Sequence, residues 1–80
     1  MKIVDDPPKR LINLKRHELD FDELTVEFFE TALILPAKRR RHMAINRLGG
    51  RVLTVVFKRL GTEAISVISM RPASRKERKL

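Results

Sequence analysis

Eighty residues suffice for one small domain spanning residues 1–80, and the absence of cysteine excludes disulfide staples, thiolate metal sites and cysteine nucleophiles. Eighteen Lys and Arg against ten Asp and Glu leave a net charge of +8, a field that repels other copies and attracts RNA, DNA or an acidic protein. No apolar run reaches the ~20 residues of a membrane span, and the amino end lacks a signal-peptide stretch, so the expectation is a cytoplasmic protein without membrane contact.

In chain order, Lys2 to Val4 form a candidate opening strand. Asp6-Pro7-Pro8 then predict a helix start, with an aspartate side-chain cap followed by proline, whose missing N–H costs nothing in the first turn. This helix runs to about His17, which is placed to cap its carboxyl end, and its apolar residues Leu11, Ile12 and Leu14 form a narrow stripe among Lys9, Arg10, Lys15 and Arg16. Acids concentrate next, at Glu18, Asp20, Asp22, Glu23, Glu27 and Glu30. Asp20 and Glu23 have capping-box spacing, predicting a second short helix from Phe21 with Phe21, Leu24 and Phe28 on one side. Ala32 to Leu35 read as a strand stopped by Pro36, and KRRRH as a basic connection.

Three β-type runs follow: HMAINRL, RVLTVVFKR and AISVISM. Gly49-Gly50 predicts a two-residue hairpin between the first two, and LGTE a longer loop between the second pair. Ser74 and Glu77, just after Pro72, have the spacing of a further capping box and predict a short C-terminal helix. The fold class is therefore α+β: two N-terminal helices, an antiparallel sheet of about four strands, and a short C-terminal helix.

Pairing Leu48 with Arg51 across the Gly-Gly turn sets Arg47 opposite Val52, Ile45 opposite Thr54 and Met43 opposite Val56. A four-residue LGTE loop closing Arg59 on Ala64 sets Thr54 opposite Ser69 and Val52 opposite Arg71. Arg47, Thr54, Ser69 and Arg71 then form a polar, cationic patch on one sheet face, and Leu53, Val55, Phe57, Ile68 and Met70 a core wall on the other. Forked arginine donors beside hydroxyls and a basic terminal helix suit phosphate. His17 and His42 lie in no metal-type or triad-type spacing, the carboxylates lack a partner pattern, and no Gly-rich phosphate loop is present, so neither metal nor cofactor is expected. Cleavage of RNA by its own 2′-OH needs positioning, a stabiliser for the charged transition state, and proton transfers. Arginine and lysine supply the first two, while spacing does not identify the general base.

VDDPPKRLINLKRHELDF together with INRLGGRVLTVVFKRLGTEAISVISMRPASRKERK resembles the BrnT family of toxins. The likeness rests on Asp6 and Lys9, Asn13, His17, Phe21, Arg47, Ile68-Ser69, Arg71 and the string Ala73 to Arg78. It implies a RelE-like fold and a metal-independent endoribonuclease that inhibits translation. It also implies a ribbon-helix-helix, BrnA-like antitoxin that forms a hetero-oligomer with the toxin and alone meets operator DNA. Arg47 is the first expected catalytic residue, supported by Lys9, Arg71 and Glu77; Arg10, Lys58, Arg59, Arg75, Lys76 and Arg78 are expected RNA contacts. The chain departs from the family pattern at Asp5 (usually Trp), Glu18 and Asn46 (Gly) and Phe57 (Tyr). These departures motivate an alternative, a catalytically degenerate toxin-like partner or corepressor of a DNA-binding antitoxin. A third reading, an RNA-associated structural protein, rests on charge alone.

Overall fold

Runs of β-branched and apolar residues from Leu33 onward build four antiparallel strands, and the first residues of the chain add a fifth in parallel; the computed structural model describes residues 1–80. The elements are β1 (Lys2–Val4), α1 (Pro7–His17), a 3₁₀ turn (Phe21–Glu23), α2 (Val26–Glu30), β2 (Leu33–Ala37), β3 (Arg41–Leu48), β4 (Arg51–Leu60), β5 (Ala64–Pro72) and a closing 3₁₀ turn (Glu77–Lys79). In the sheet they lie in the order β1-β5-β4-β3-β2. The expected α+β class and order of elements hold, with β1 joining β5 in parallel as an additional strand. No helix is long and apolar enough to cross a membrane.

At the start of α1 the Asp6 carbonyl accepts the Arg10 N–H at 2.9 Å, but its side chain makes no capping bond. Pro7 and Pro8 have no N–H, which removes the N2 donor and leaves only the Lys9 amide as a capping partner in the first turn. The helix ends at Glu18, whose φ of 58° lies in the left-handed region that favours glycine, with its N–H bonded to the Leu14 carbonyl at 2.8 Å. The expected second helix is divided. Asp20 accepts from the Asp22 N–H rather than closing a box with Glu23, Leu24 is extended, and α2 begins only after Thr25, whose Oγ1 accepts the Phe28 N–H at 3.2 Å. β2 passes through Pro36, tolerated because β2 is an edge strand where a missing donor breaks no ladder.

The β3–β4 register is the expected one, Leu48 opposite Arg51 and Arg47 opposite Val52, with Gly49 and Gly50 at φ 60° and 81°. The β4–β5 register differs. Leu60 pairs with Ala64, and an irregularity at Val56/Phe57 leaves Ile68 without a partner, so Val56 faces Ser69 and Thr54 faces Arg71. The tighter loop shifts the pairing by one residue and the bulge by a second. Two shifts restore the parity of the side chains, which keeps Ser69 and Arg71 on the face of Thr54 and Arg47. Between loop and bulge the parity is inverted, so Ile65 and Val67 take core positions and Ile68, expected in the core wall, does not.

The core lies on one face of the sheet. Leu19, Phe21, Leu24, Phe28 and Phe29 pack over Ala44, Leu53, Val55, Phe57, Ile65, Val67 and Met70. Edge-to-face ring contacts of 5.3 Å (Phe28–Phe29) and 5.4 Å (Phe29–Phe57) fix that layer. The opposite face carries Met43, Ile45, Arg47, Val52, Thr54, Val56, Ser69 and Arg71. Helix α1 does not join the core through its apolar stripe. It runs along the part of the β5 edge that β1 leaves open, anchored by Asn13, whose Nδ2 donates to the Leu19 carbonyl (3.0 Å) and whose Oδ1 accepts the Met70 N–H (2.9 Å). Asn13 is buried, whereas Leu11, Ile12 and Leu14 are 58%, 57% and 36% exposed.

Candidate active site

Arg71 and Glu77 form its fixed centre. Arg71 Nη1 and Nη2 donate to Glu77 Oε1 and Oε2 at 2.7 and 2.8 Å, a forked pair. The Ser74–Glu77 capping box closes in both directions: the Ser74 N–H donates to Oε1 (2.8 Å) and the Glu77 N–H to Ser74 Oγ (3.1 Å). It organises a single turn, not a longer helix, because the chain has only Glu77–Lys79 in helical form there. The fully buried Thr54 adds its hydroxyl to Oε1 at 3.0 Å. Arg71, aided by Ser74 and Thr54 and opposed by partial burial, holds the Glu77 carboxyl down to about 2, and Glu77 in turn raises Arg71. So engaged, the carboxylate is ionised at neutral pH and its oxygens are occupied by these donors. Glu77 positions Arg71, which retains guanidinium donors for a ligand.

Beside this pair is an open groove of about 500 Å³ lined by Arg47, Arg51, Val52, Pro72 and Arg78. The Gly49-Gly50 turn puts Arg47 and Arg51 on adjacent strand ends, and the Ala73 N–H, bonded to the Val52 carbonyl at 2.9 Å, ties the C-terminal turn against them. None of the three arginines makes an ion pair. On the other side of Arg71, between α1 and β5, a cavity of about 110 Å³ is lined by Lys9, Asn13, Arg16, His17 and Ser69, with Ile12 and Ile68 at its apolar side. Ser69 precedes Arg71 by two residues on the same face, roughly 7 Å along the strand. Arg71 thus stands between two cationic walls.

The structure distributes the expected residues unequally. Arg47, Arg71, Glu77 and Arg78 come together at one end of the sheet, and Lys9 reaches the neighbouring cavity. Arg10 does not face either: it bonds Asp20 at 2.7 and 2.9 Å and Asp22 at 3.1 Å, pairing that raises Arg10 and lowers Asp20. Lys58 and Arg59 occupy the far end of β4, Arg59 lying 5.8 Å over the Phe57 ring. Arg75 and Lys76 are exposed on the closing turn. Arg51, Arg16 and the inward placement of His17 escaped sequence reasoning. A signal existed for the last two, since Lys9, Asn13 and His17 recur every four residues with Arg16 beside them, a polar stripe along α1.

Of the departures noted in the sequence, Phe57 lies away from this centre, whereas Asn46 and Glu18 directly neighbour Arg47 and His17. Phe57 is buried in the core on the opposite sheet face. Asn46 ties β3 to α2, donating to the Phe28 carbonyl (3.0 Å) and Thr31 Oγ1 (2.8 Å), and its Oδ1 accepts the Arg47 N–H at 2.8 Å. No three His, Asp or Glu side chains gather as a metal-ligand set.

The profile of a family described as the ribonuclease toxin BrnT of type II toxin–antitoxin systems matches residues 6–77. The 1.1 Å crystal structure of the Brucella abortus ribonuclease toxin, BrnT, is similar to this chain, with a TM-score of 0.86 and 50% sequence identity over 94% of this chain and 99% of that one. Among curated proteins none matches.

Proposed function

The chain belongs to the BrnT family of ribonuclease toxins of type II toxin–antitoxin systems, and from that premise we propose that Arg47, Arg71 and His17 carry its RNA cleavage. In this reading the RNA 2′-oxygen attacks the adjacent phosphorus, the P–O5′ bond breaks, and the products end in a 2′,3′-cyclic phosphate and a 5′-hydroxyl. Arg71, preset by Glu77, and Arg47 across the face donate to the non-bridging oxygens as negative charge builds on them. His17 takes the 2′-hydroxyl proton, imidazole being the side chain suited to proton transfer near neutral pH, and Lys9 holds a neighbouring phosphate. Water supplies the proton taken up by the leaving 5′-oxygen, and protonated His17 returns its own to the hydroxide so formed.

The observation that carries this reading is the forked Arg71–Glu77 pair, an arginine held in place between two unpaired cationic walls. The positions of Asn46 and Phe57 favour activity over the degenerate alternative, because neither side chain lines the groove or the cavity. We infer further that the antitoxin is a BrnA-like ribbon-helix-helix protein forming a hetero-oligomer with this chain, that operator DNA is met only through it, and that the toxin acts in the cytoplasm.

Expression of the chain alone, beside Arg47→Ala, tests the assignment. Growth arrest with new RNA 5′ ends is expected from the parent. Arg47→Ala should cleave about 10²–10³-fold more slowly, as befits loss of one transition-state donor, with unchanged melting temperature. Undiminished cleavage by Arg47→Ala would remove that residue from the site.

A further inference from the structure

Helix α1 is amphipathic in the inverted sense. Its polar side, with Asn13 and His17, is turned to the body of the protein, and Pro7, Pro8, Leu11, Ile12 and Leu14 are all exposed. Successive members of this strip are separated by three or four residues along the helix, at Pro7–Leu11, Pro8–Leu11, Pro8–Ile12 and Leu11–Leu14, so it forms one continuous apolar track on the outer surface. Exposed Lys9 and Arg16 flank it on one side and Lys15 closes its end; the helix itself contains no acid, the carboxylates against it being Asp20 and Asp22, which are paired with Arg10, while Asp5, Asp6 and Glu18 lie beyond its ends. The Asn13 anchor sets which side of α1 meets the body, and the core closes without the apolar strip, which is left free on the surface.

We propose that the outer face of α1 is a docking surface for an amphipathic helix of the antitoxin, one with an apolar stripe and acidic flanks; the proposal rests on the toxin reading given above. Charge decides among occupants. A second copy of the chain would set Lys15 and Arg16 against their own counterparts on a molecule of net charge +8. RNA would satisfy the lysines and leave aliphatic Leu and Ile side chains, which offer bases no stacking platform, facing phosphates. A helix carrying Leu or Ile every three to four residues between Glu or Asp satisfies both halves of the surface, packing ridge into groove along the three turns of α1. Such an inhibitor reaches the toxin at α1 and lies next to the Lys9–His17 cavity without having to enter it.

The test compares the parent, Leu11→Ser/Leu14→Ser and Lys15→Glu, each titrated with the antitoxin co-purified with this chain from its host. The double variant should bind the antitoxin at least ten-fold more weakly while cleaving RNA at the parental rate. Lys15→Glu should weaken binding several-fold, with the difference shrinking in high salt. Parental antitoxin affinity in both variants overturns the proposal. So does a loss of short-RNA binding in place of antitoxin binding, or a self-association of the parent that the double variant abolishes. If the double variant fails to fold, Lys15→Glu alone decides. A parent that cleaves no RNA defeats the catalytic reading and leaves the affinity comparison standing.

Discussion

Glu77 accepts from Arg71 twice, from Ser74 and from Thr54, and its carboxyl is held at about 2 against an ordinary 4.5. Because the folded value lies below the unfolded one, the stabilisation is complete above about pH 4.5 and disappears as the pH falls toward 2. With 34% of the Arg71 side chain exposed, solvent reduces its worth to about 1–2 kcal/mol. Glu77→Gln should therefore unfold more easily than the parent by that amount at pH 7, and the two melting curves should converge near pH 2. A gap independent of pH would show that the carboxylate charge is not what matters. The same substitution frees Arg71 and should slow cleavage although Glu77 itself transfers no proton. At Glu18 the residue scale shows the opposite economy: a side chain sits at φ 58° where glycine rests without the steric penalty of a Cβ.

At the scale of elements, Asn13 determines where α1 lies. Asn13→Ala leaves the Leu19 carbonyl and the Met70 N–H buried without partners and should cost about 2–3 kcal/mol, read from denaturant midpoints. It should also open the cavity that holds Lys9 and His17, so cleavage falls along with stability; an unchanged midpoint would mean that α1 is held by something else. This helix also marks the limit of what was legible in the sequence. Gly49-Gly50, alternating residues on β3 and β4, and the Ser74–Glu77 box are local signals; the first two placed Arg47 and Arg71 on one face and the box marked the closing turn, while Glu77 entered the site only through the family resemblance. The bulge at Ile68 and the parallel pairing of β1 depend on contacts between distant segments, which no local pattern encodes. The narrow apolar stripe of α1 does not say which side of the helix meets the body, although burial is the usual fate of such a stripe; here buried hydrogen bonds of Asn13 outweigh it. Arg51 and Arg16 were missed for a related reason, since a charged side chain reveals its groove only when its neighbours are in place.

Over the whole molecule, cations collect at both ends of the sheet: Arg47, Arg51 and Arg78 line the groove, and Lys58 and Arg59 lie at the opposite end of β4. Net charge draws RNA in, but only the end of the sheet that carries the groove, Arg71 and Lys9 is expected to hold it. If the three groove arginines and Lys9 each release one counterion, the logarithm of affinity for a single-stranded RNA should fall with the logarithm of salt at a slope of about −3. Arg78→Ala should reduce that slope by about 0.7 while Arg59→Ala leaves it unchanged. Equal effects of the two would mean that RNA has no preferred path across the surface.

The pairing of Lys2–Val4 with Ala64–Ser66 has a consequence for how the protein is made. Lys2–Val4 must wait beside the ribosome for a partner strand synthesised about sixty residues later, and α1 waits likewise for Met70. Arg71 acquires its orientation later still, when Glu77 has emerged. A nascent chain therefore has no assembled site until Glu77 has emerged. The messenger and ribosome that produce the toxin meet an assembled site only after that point.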